Sequence, residues 1–250
     1  MNIRGNIAIL CMVTVLGLAA LAHAEGGHWA YQGHGGPAEW GSLNSQFATC
    51  KLGKLQSPID IRGVQAGDLP AIKFDYKPSA LKIIDNGHTI QINYAPGSSI
   101  DVGGARYELV QFHFHRPSEE KINGKSFPMV AHLVHMNTGG KLAVIAVLLD
   151  TGSASELIDS LWKNIPQEKE KETVVANVTI DAAKLLPDNR DYYTFQGSLT
   201  TPPCSEGVRW FVLKSPLKIA AGQIAAFGKI YPLNARPVQP LNGRTIQATK

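Results

Sequence analysis

Histidines at strand spacing are the residues of this chain with the most chemistry to offer. Gln111-Phe112-His113-Phe114-His115 alternates polar with aromatic side chains. On a β-strand, residues two apart share a face, so Gln111, His113 and His115 point one way and Phe112 and Phe114 point into packing. Two imidazoles on one face can ligate the same ion. Ala131-His132-Leu133-Val134-His135 offers a third from another segment. His132 and His135 are an odd number of positions apart, so a regular strand sends them to opposite faces. One can bind metal; the other must be buried with a hydrogen-bond partner. The residues alone leave that choice open. Three neutral nitrogens with no fourth protein ligand describe a catalytic zinc site, because structural zinc is closed by four ligands, usually with cysteine. The competing reading is that His113 and His115 are ordinary strand histidines.

The elements that must carry these residues read mostly as strands. Leu81 to Asp85, Thr89 to Tyr94, Arg106 to His115, Met129 to Met136, Leu142 to Leu149 and Val208 to Leu213 are rich in β-branched and aromatic residues. The run from Leu142 to Leu149 has no polar alternation, so it should be covered on both faces. Ser155 can cap a helix over Glu156 to Lys163, with Pro166 stopping it. Asp181 to Leu185 and Ala220 to Phe227 are weaker helical candidates. No repeat or linker divides the chain. The expectation is a mostly β (α+β) domain over residues 25–250, with a large central sheet and short peripheral helices.

Composition narrows the class further. Arg4 precedes an apolar run from Ile7 to Leu21, and Ala22-His23-Ala24 supplies a cleavage pattern, so residues 1–24 read as an export signal. A retained N-terminal anchor is the alternative. An exported protein, periplasmic or extracellular, with no membrane attachment after cleavage, is expected. The formal net charge of +4 carries no Lys/Arg block, which argues against nucleic acid. Of three cysteines, Cys11 falls in the signal; Cys50 and Cys204 most simply form one disulfide, free buried thiols being the alternative. An H-E-x-x-H helix is absent, which weighs against that class of zinc hydrolase.

The surrounding residues carry a resemblance. Gln111 to His115, Pro117-Ser118-Glu119, His132-Leu133-Val134-His135 and Leu199-Thr200-Thr201-Pro202-Pro203-Cys204 closely resemble the α-carbonic anhydrase signature. Trp29-Ala30-Tyr31, Gln56-Ser57-Pro58-Ile59-Asp60-Ile61, Asn86-Gly87-His88, Arg209-Trp210 and Asn234-Ala235-Arg236-Pro237 resemble further family blocks in family order. The likeness covers nearly the whole segment after the signal.

The resemblance implies a large, twisted, predominantly antiparallel sheet with one Zn2+ at the foot of a conical cleft. It selects His113, His115 and His132 as ligands and leaves His135 buried. It implies reversible hydration of carbon dioxide to bicarbonate by a zinc-held hydroxide, weak ester hydrolysis as a side activity, and inhibition by sulfonamides and anions. Thr200 would accept the hydroxide's proton in a hydrogen bond and donate its own to Glu119. Thr200 and Thr201 would bind substrate or product oxygens, and Val134, Val144, Leu199, Val208 and Trp210 would form the apolar pocket. His88 would shuttle protons through water ordered by Tyr31, Asn86 and Gln91, and Gln111 would support a ligand. Cys204 would tether the catalytic loop, and Ser57-Pro58 and Pro202-Pro203 match cis peptide sites. The chain is expected as a monomer or homodimer. One departure stands out: two residues before the third ligand the family usually has a glutamate that hydrogen-bonds that imidazole, and here the residue is Val130. On that ground zinc should be held less firmly than in relatives. Asn177-Val178-Thr179 is a formal glycosylation sequon.

Overall fold

The structure is a computed structural model that describes residues 28–250; the export signal expected at residues 1–24 lies outside the described residues. Its long strands are β1 (Ser79–Asp85), β2 (Ile90–Asn93), β3 (Ala105–His115), β4 (Met129–Met136), β5 (Leu142–Thr151), β6 (Thr173–Ile180), β7 (Tyr192–Ser198) and β8 (Glu206–Leu213). They lie in the order β6-β1-β2-β3-β4-β5-β8-β7 within a sheet that shorter strands extend to thirteen. Neighbours are antiparallel except at β5 and β8, which run parallel with Val144 opposite Trp210. Six of these strands are the ones the β-branched and aromatic runs predict. β6 and β7 were not singled out: β6 is a mostly exposed edge strand, interrupted by a register shift between Val174 and Thr179. Asn177 of the sequon sits exposed within that shift at φ +62°.

Side-chain alternation gives the sheet two different faces. Phe112 and Phe114 of β3, Leu133 of β4 and Ile145 of β5 enter one core with the buried residues Leu157 and Leu161. Val130 of β4, Val144 and Leu148 of β5 and Trp210 of β8 enter a second core on the other face. The apolar run of β5 is buried from Ala143 to Leu149 because both faces are covered. Helix α1 (Glu156–Lys163) begins where expected, Ser155 accepting the Ile158 N–H at 3.4 Å, and buries Leu157, Ile158 and Leu161. Its last residue is Lys163, as expected, with Asn164 as the C-cap two residues before Pro166. The candidate at Asp181 is only a 3₁₀ turn, Ala182–Leu185, and the last is helix α2 (Ala221–Ile230), three residues longer than expected at its C-terminal end. Among the described residues no helix is long and apolar enough to cross a membrane.

Cis peptide bonds occur at Ser57-Pro58 and Pro202-Pro203, as the resemblance implies, and also at Arg116-Pro117, directly after β3. His135 falls on the face opposite His132. It is fully buried, its Nε2 lies 2.9 Å from the Tyr76 hydroxyl, and burial pushes its pKa down to about 3 from 6.5. A folded-state pKa below the unfolded value means that the unfolded chain takes up the proton first, so stability is lost as pH falls below about 6.5. Between pH 7 and 5 this one group should cost about 2 kcal/mol. Urea unfolding at the two pH values should show a pH-dependence smaller by that amount in His135→Gln than in the parent.

Candidate metal centre and its cleft

Strand register assembles the centre. β3 and β4 pair with His113 directly opposite His132, and Gln91 of β2 and Ala146 of β5 continue that row on either side. The next row contains Gln111, Val134, Val144 and Trp210. A row holding two imidazoles is thus flanked, on the same face, by a row holding Gln111 and three apolar side chains. His113, His115 and His132 each offer one ligand atom, all within 4.8 Å of one another.

Each imidazole is held from behind by an acceptor, and this decides which nitrogen is free. His113 donates from Nδ1 to the Gln111 carbonyl oxygen at 2.8 Å, and His115 donates from Nδ1 to the Asn234 backbone carbonyl at 2.7 Å. Both leave Nε2 as a bare lone pair. His132 is reversed: its Nε2 lies 3.1 and 3.2 Å from the two oxygens of Glu120, which frees Nδ1. His115 Nε2 and His132 Nδ1 face a common point, being 3.5 and 3.8 Å from Glu119 Oε2.

Burial keeps two of these rings neutral. It pushes the His113 pKa down to about 3 and that of His115 well below 6.5, with the charge of His132 adding to both effects. Burial works the same way on His132, but the charge and hydrogen bond of Glu120 and the charge of Glu119 carry its pKa above the ordinary value. Neutral rings with inward lone pairs suit a borderline cation such as zinc. His115 Nε2 and Glu119 Oε2 are buried without a hydrogen-bond partner. Such orphans cost about 1–3 kcal/mol each, and a cation at the three nitrogens would relieve the first directly. The donor set fits one metal ion.

Glu119 stands beside the trio. The Arg236 N–H donates to its Oε1 at 2.7 Å. Burial raises its pKa to about 7; the charge of His132 and the Arg236 N–H work against the rise, and the charge of Glu120 adds to it. A cleft of about 260 Å³ is lined by the three histidines, by apolar Val134, Val144, Leu199 and Trp210, by polar Tyr31, Asn86, His88, Gln91 and Gln111, and by Thr200 and Thr201. The structure therefore brings together the residues expected there, with one exception. Val208 does not line the cleft; it is 2% exposed and packs behind the wall with Val144 and Trp210. A larger depression of about 640 Å³ near Tyr107, Lys141 and Arg209 has no converging imidazoles, so size alone would have marked the wrong place.

His88 sits in a turn that Asn86 closes, accepting the His88 and Thr89 N–H groups at 3.0 and 2.9 Å, with Gly87 at φ +82°. Its ring stacks on Trp29 with centroids 3.6 Å apart. Burial lowers its pKa, and the nearby His28 adds to the effect. The Cys50–Cys204 bond is present, joining the helical turn Thr49–Leu52 to the loop that carries Thr200.

Three residues were missed as members of the site. Asn234 is fully buried: besides its carbonyl on His115, its amide donates to the carbonyls of Phe114 at 2.9 Å and His88 at 3.1 Å, and its Oδ1 accepts the Arg116 N–H at 2.7 Å. Arg236, 2% exposed, donates to the Cys50 and Ser57 carbonyls and to Gln56. Both fall in a block singled out for its resemblance, but no local spacing ties that block to histidines more than 100 residues away. The third is Glu120. It corrects the reading of Val130 as a missing carboxylate: the carboxylate is present, supplied by the segment after β3 instead of by β4.

Three imidazoles converging in a cleft that also has apolar and polar lining residues make a candidate centre for one metal ion, built on an extended sheet. The profile of the eukaryotic-type carbonic anhydrase family matches residues 35–250. A carbonic anhydrase of Neisseria gonorrhoeae is 44% identical over 243 residues, covering 96% of each chain. Two solved structures superpose closely. A hyperthermostable carbonic anhydrase identified from an active hydrothermal vent chimney does so with a TM-score of 0.86 at 46% identity, over 89% of this chain and 100% of that one. The α-carbonic anhydrase of Thermovibrio ammonificans, in complex with sulfanilamide, does so with a TM-score of 0.85 at 42% identity, over 89% and 99%. The chain belongs to the α-carbonic anhydrase family, whose reaction is the hydration of carbon dioxide, and it is an enzyme of that class.

Asn234→Ala keeps the backbone carbonyl on His115 but leaves buried partners at Phe114, His88 and Arg116 unmet. It should lower the free energy of unfolding by roughly 3 kcal/mol, read from denaturant midpoints at constant m.

Proposed function

We propose that the chain hydrates carbon dioxide reversibly with one Zn2+ held by His113, His115 and His132, and that the same centre hydrolyses esters weakly. The observation that carries this reading is that three imidazole nitrogens left free by outer hydrogen bonds lie within 4.8 Å of one another. A bound zinc ion lowers the pKa of water to about 7, a value established for carbonic anhydrase itself, and so supplies a nucleophile at neutral pH.

The remaining work falls to this chain's side chains. Glu119 must be ionised, and a cation at the histidine nitrogens favours that form. An ionised carboxylate only accepts, so the Thr200 hydroxyl donates to Glu119 and can itself only accept from the nucleophile. That arrangement aims a lone pair at the substrate. The Thr200 N–H binds an oxygen of substrate or product, and Thr201 stabilises bicarbonate. Carbon dioxide is apolar, and Val134, Val144, Leu199 and Trp210 give it a wall to rest against, with Val208 backing them.

His88 passes the released proton to buffer through water held by Tyr31, Asn86 and Gln91. Because burial and His28 lower its pKa, His88 stays able to accept a proton somewhat below pH 6.5. Export follows from the N-terminal pattern and accords with the disulfide. Sulfonamides are proposed inhibitors, since their anion can still donate to Thr200; the Thermovibrio relative carries sulfanilamide.

Stopped-flow hydration of carbon dioxide, before and after chelation, tests the whole reading. Activity should vanish with the metal and return on adding one equivalent of zinc. Thr200→Ala should lower kcat/KM by about 10²-fold or more. His88→Ala should lower kcat in dilute buffer by up to about 10²-fold, leave kcat/KM nearly unchanged, and recover with added imidazole. A metal-loaded chain without hydration activity would overturn the proposal.

A further inference from the structure

We infer that Glu120 is the positioning residue for His132, having taken over the part a carboxylate at position 130 would play. The inference rests on the reading of His132 as a zinc ligand. Glu120 is fully buried, and both of its carboxylate oxygens are turned on His132 Nε2, at 3.1 and 3.2 Å. Among the described residues its side chain has no other hydrogen-bond partner. A carboxylate buried for one contact is justified only if that contact matters, because desolvating it is costly. Here it dictates the tautomer: with the proton held on Nε2, the lone pair stands on Nδ1, on the side of His115 Nε2 and Glu119.

Position 130 explains why the carboxylate comes from elsewhere. Val130 lies two residues before His132 on β4 and therefore on the same face. It is fully buried and packs in one core with Ile59, Phe127 and Leu148. A glutamate there would be aimed at the space beside the ring that Glu120 already occupies. Two carboxylates on one imidazole proton cannot both be ionised at low cost. The two arrangements exclude each other, and this chain has the one in which the segment after β3 supplies the acceptor. The same short run thus serves His132 twice: Glu119 lies on its Nδ1 side and Glu120 on its Nε2 side. Removing either carboxylate leaves the other in place, so their effects are separable.

The substitutions to compare are Glu120→Gln, Glu120→Ala, Val130→Glu and the double exchange Glu120→Ala/Val130→Glu, each loaded with zinc and challenged with excess chelator. Zinc release should quicken about 10–100-fold in Glu120→Ala. Glu120→Gln, which keeps the volume and an accepting oxygen but not the charge, should fall between parent and alanine variant. Val130→Glu alone should not slow release. In the double exchange it should restore a rate close to that of the parent, a rescue that general loosening of the fold would not produce. Nitrogen NMR of the zinc-loaded protein should show the His132 proton on Nε2 in the parent and in the double exchange. Unchanged zinc release from Glu120→Gln and Glu120→Ala would overturn the inference. So would a double exchange as fast as Glu120→Ala. If the parent takes up no zinc, or holds it equally well as His132→Ala, the site reading itself fails instead.

Discussion

An imidazole can ligate a metal only through a bare nitrogen, and in a dry interior that nitrogen is left without a partner until the metal arrives. The structure meets this constraint three times over, with a different acceptor behind each ring. A side-chain amide at Gln111, a backbone carbonyl at Asn234 and a carboxylate at Glu120 each capture the proton on the outward nitrogen. Their graded charge matters, since a carboxylate polarises its ring more than an amide or a peptide carbonyl does. The three rings are therefore not equivalent as prospective ligands. His132, the ring with a charged partner, is also the one whose affinity for a proton is raised.

Rigidity at these positions comes from the opposite face of the same strands. Phe112 and Phe114 alternate with His113 and His115, and Leu133 neighbours His132, so the residues that fill the first core set the directions of the three histidines. Phe114 meets Trp162 edge-on at 5.0 Å, tying β3 to helix α1. A side chain in a close-packed core has little freedom to turn, and a strand fixed on one face cannot swing its other face. The second core does the same for the apolar wall: Phe195 stacks beside Trp210, whose ring meets that of His132 edge-on at 4.9 Å.

The loop that carries Thr200 links the paired strands β7 and β8, is closed by the Leu199 N–H on the Ser205 carbonyl at 3.0 Å, and is held further by long-range ties. Cys204 is bonded to Cys50, and Gln56 donates to the Cys204 carbonyl. Arg236 draws Cys50, Gln56, Ser57 and, through its N–H, Glu119 to one buried point. Burial lowers the Arg236 pKa to about 10, and the charge of Glu119 works against that fall, so the guanidinium remains charged at neutral pH. The geometry between Thr200 and Glu119 thus depends on segments from near both ends of the described chain.

How far such features can be read from residue order depends on the range of the interaction responsible. The histidine face of β3, the doubly buried β5 and the Ser155 cap follow from periods of two residues or from contacts within one turn, and each was legible before any fold was known. β6 was not, because an exposed edge strand needs no apolar period. Parity set His132 and His135 on opposite faces without saying which joined His113 and His115; family likeness chose His132, and the structure places His132 directly opposite His113. Val130, seen along one strand, looked like a missing acceptor. Only the folded chain brings Glu120 to the ring, because a hydrogen bond is made by proximity in space, and spacing along the chain records proximity only within a single strand or turn.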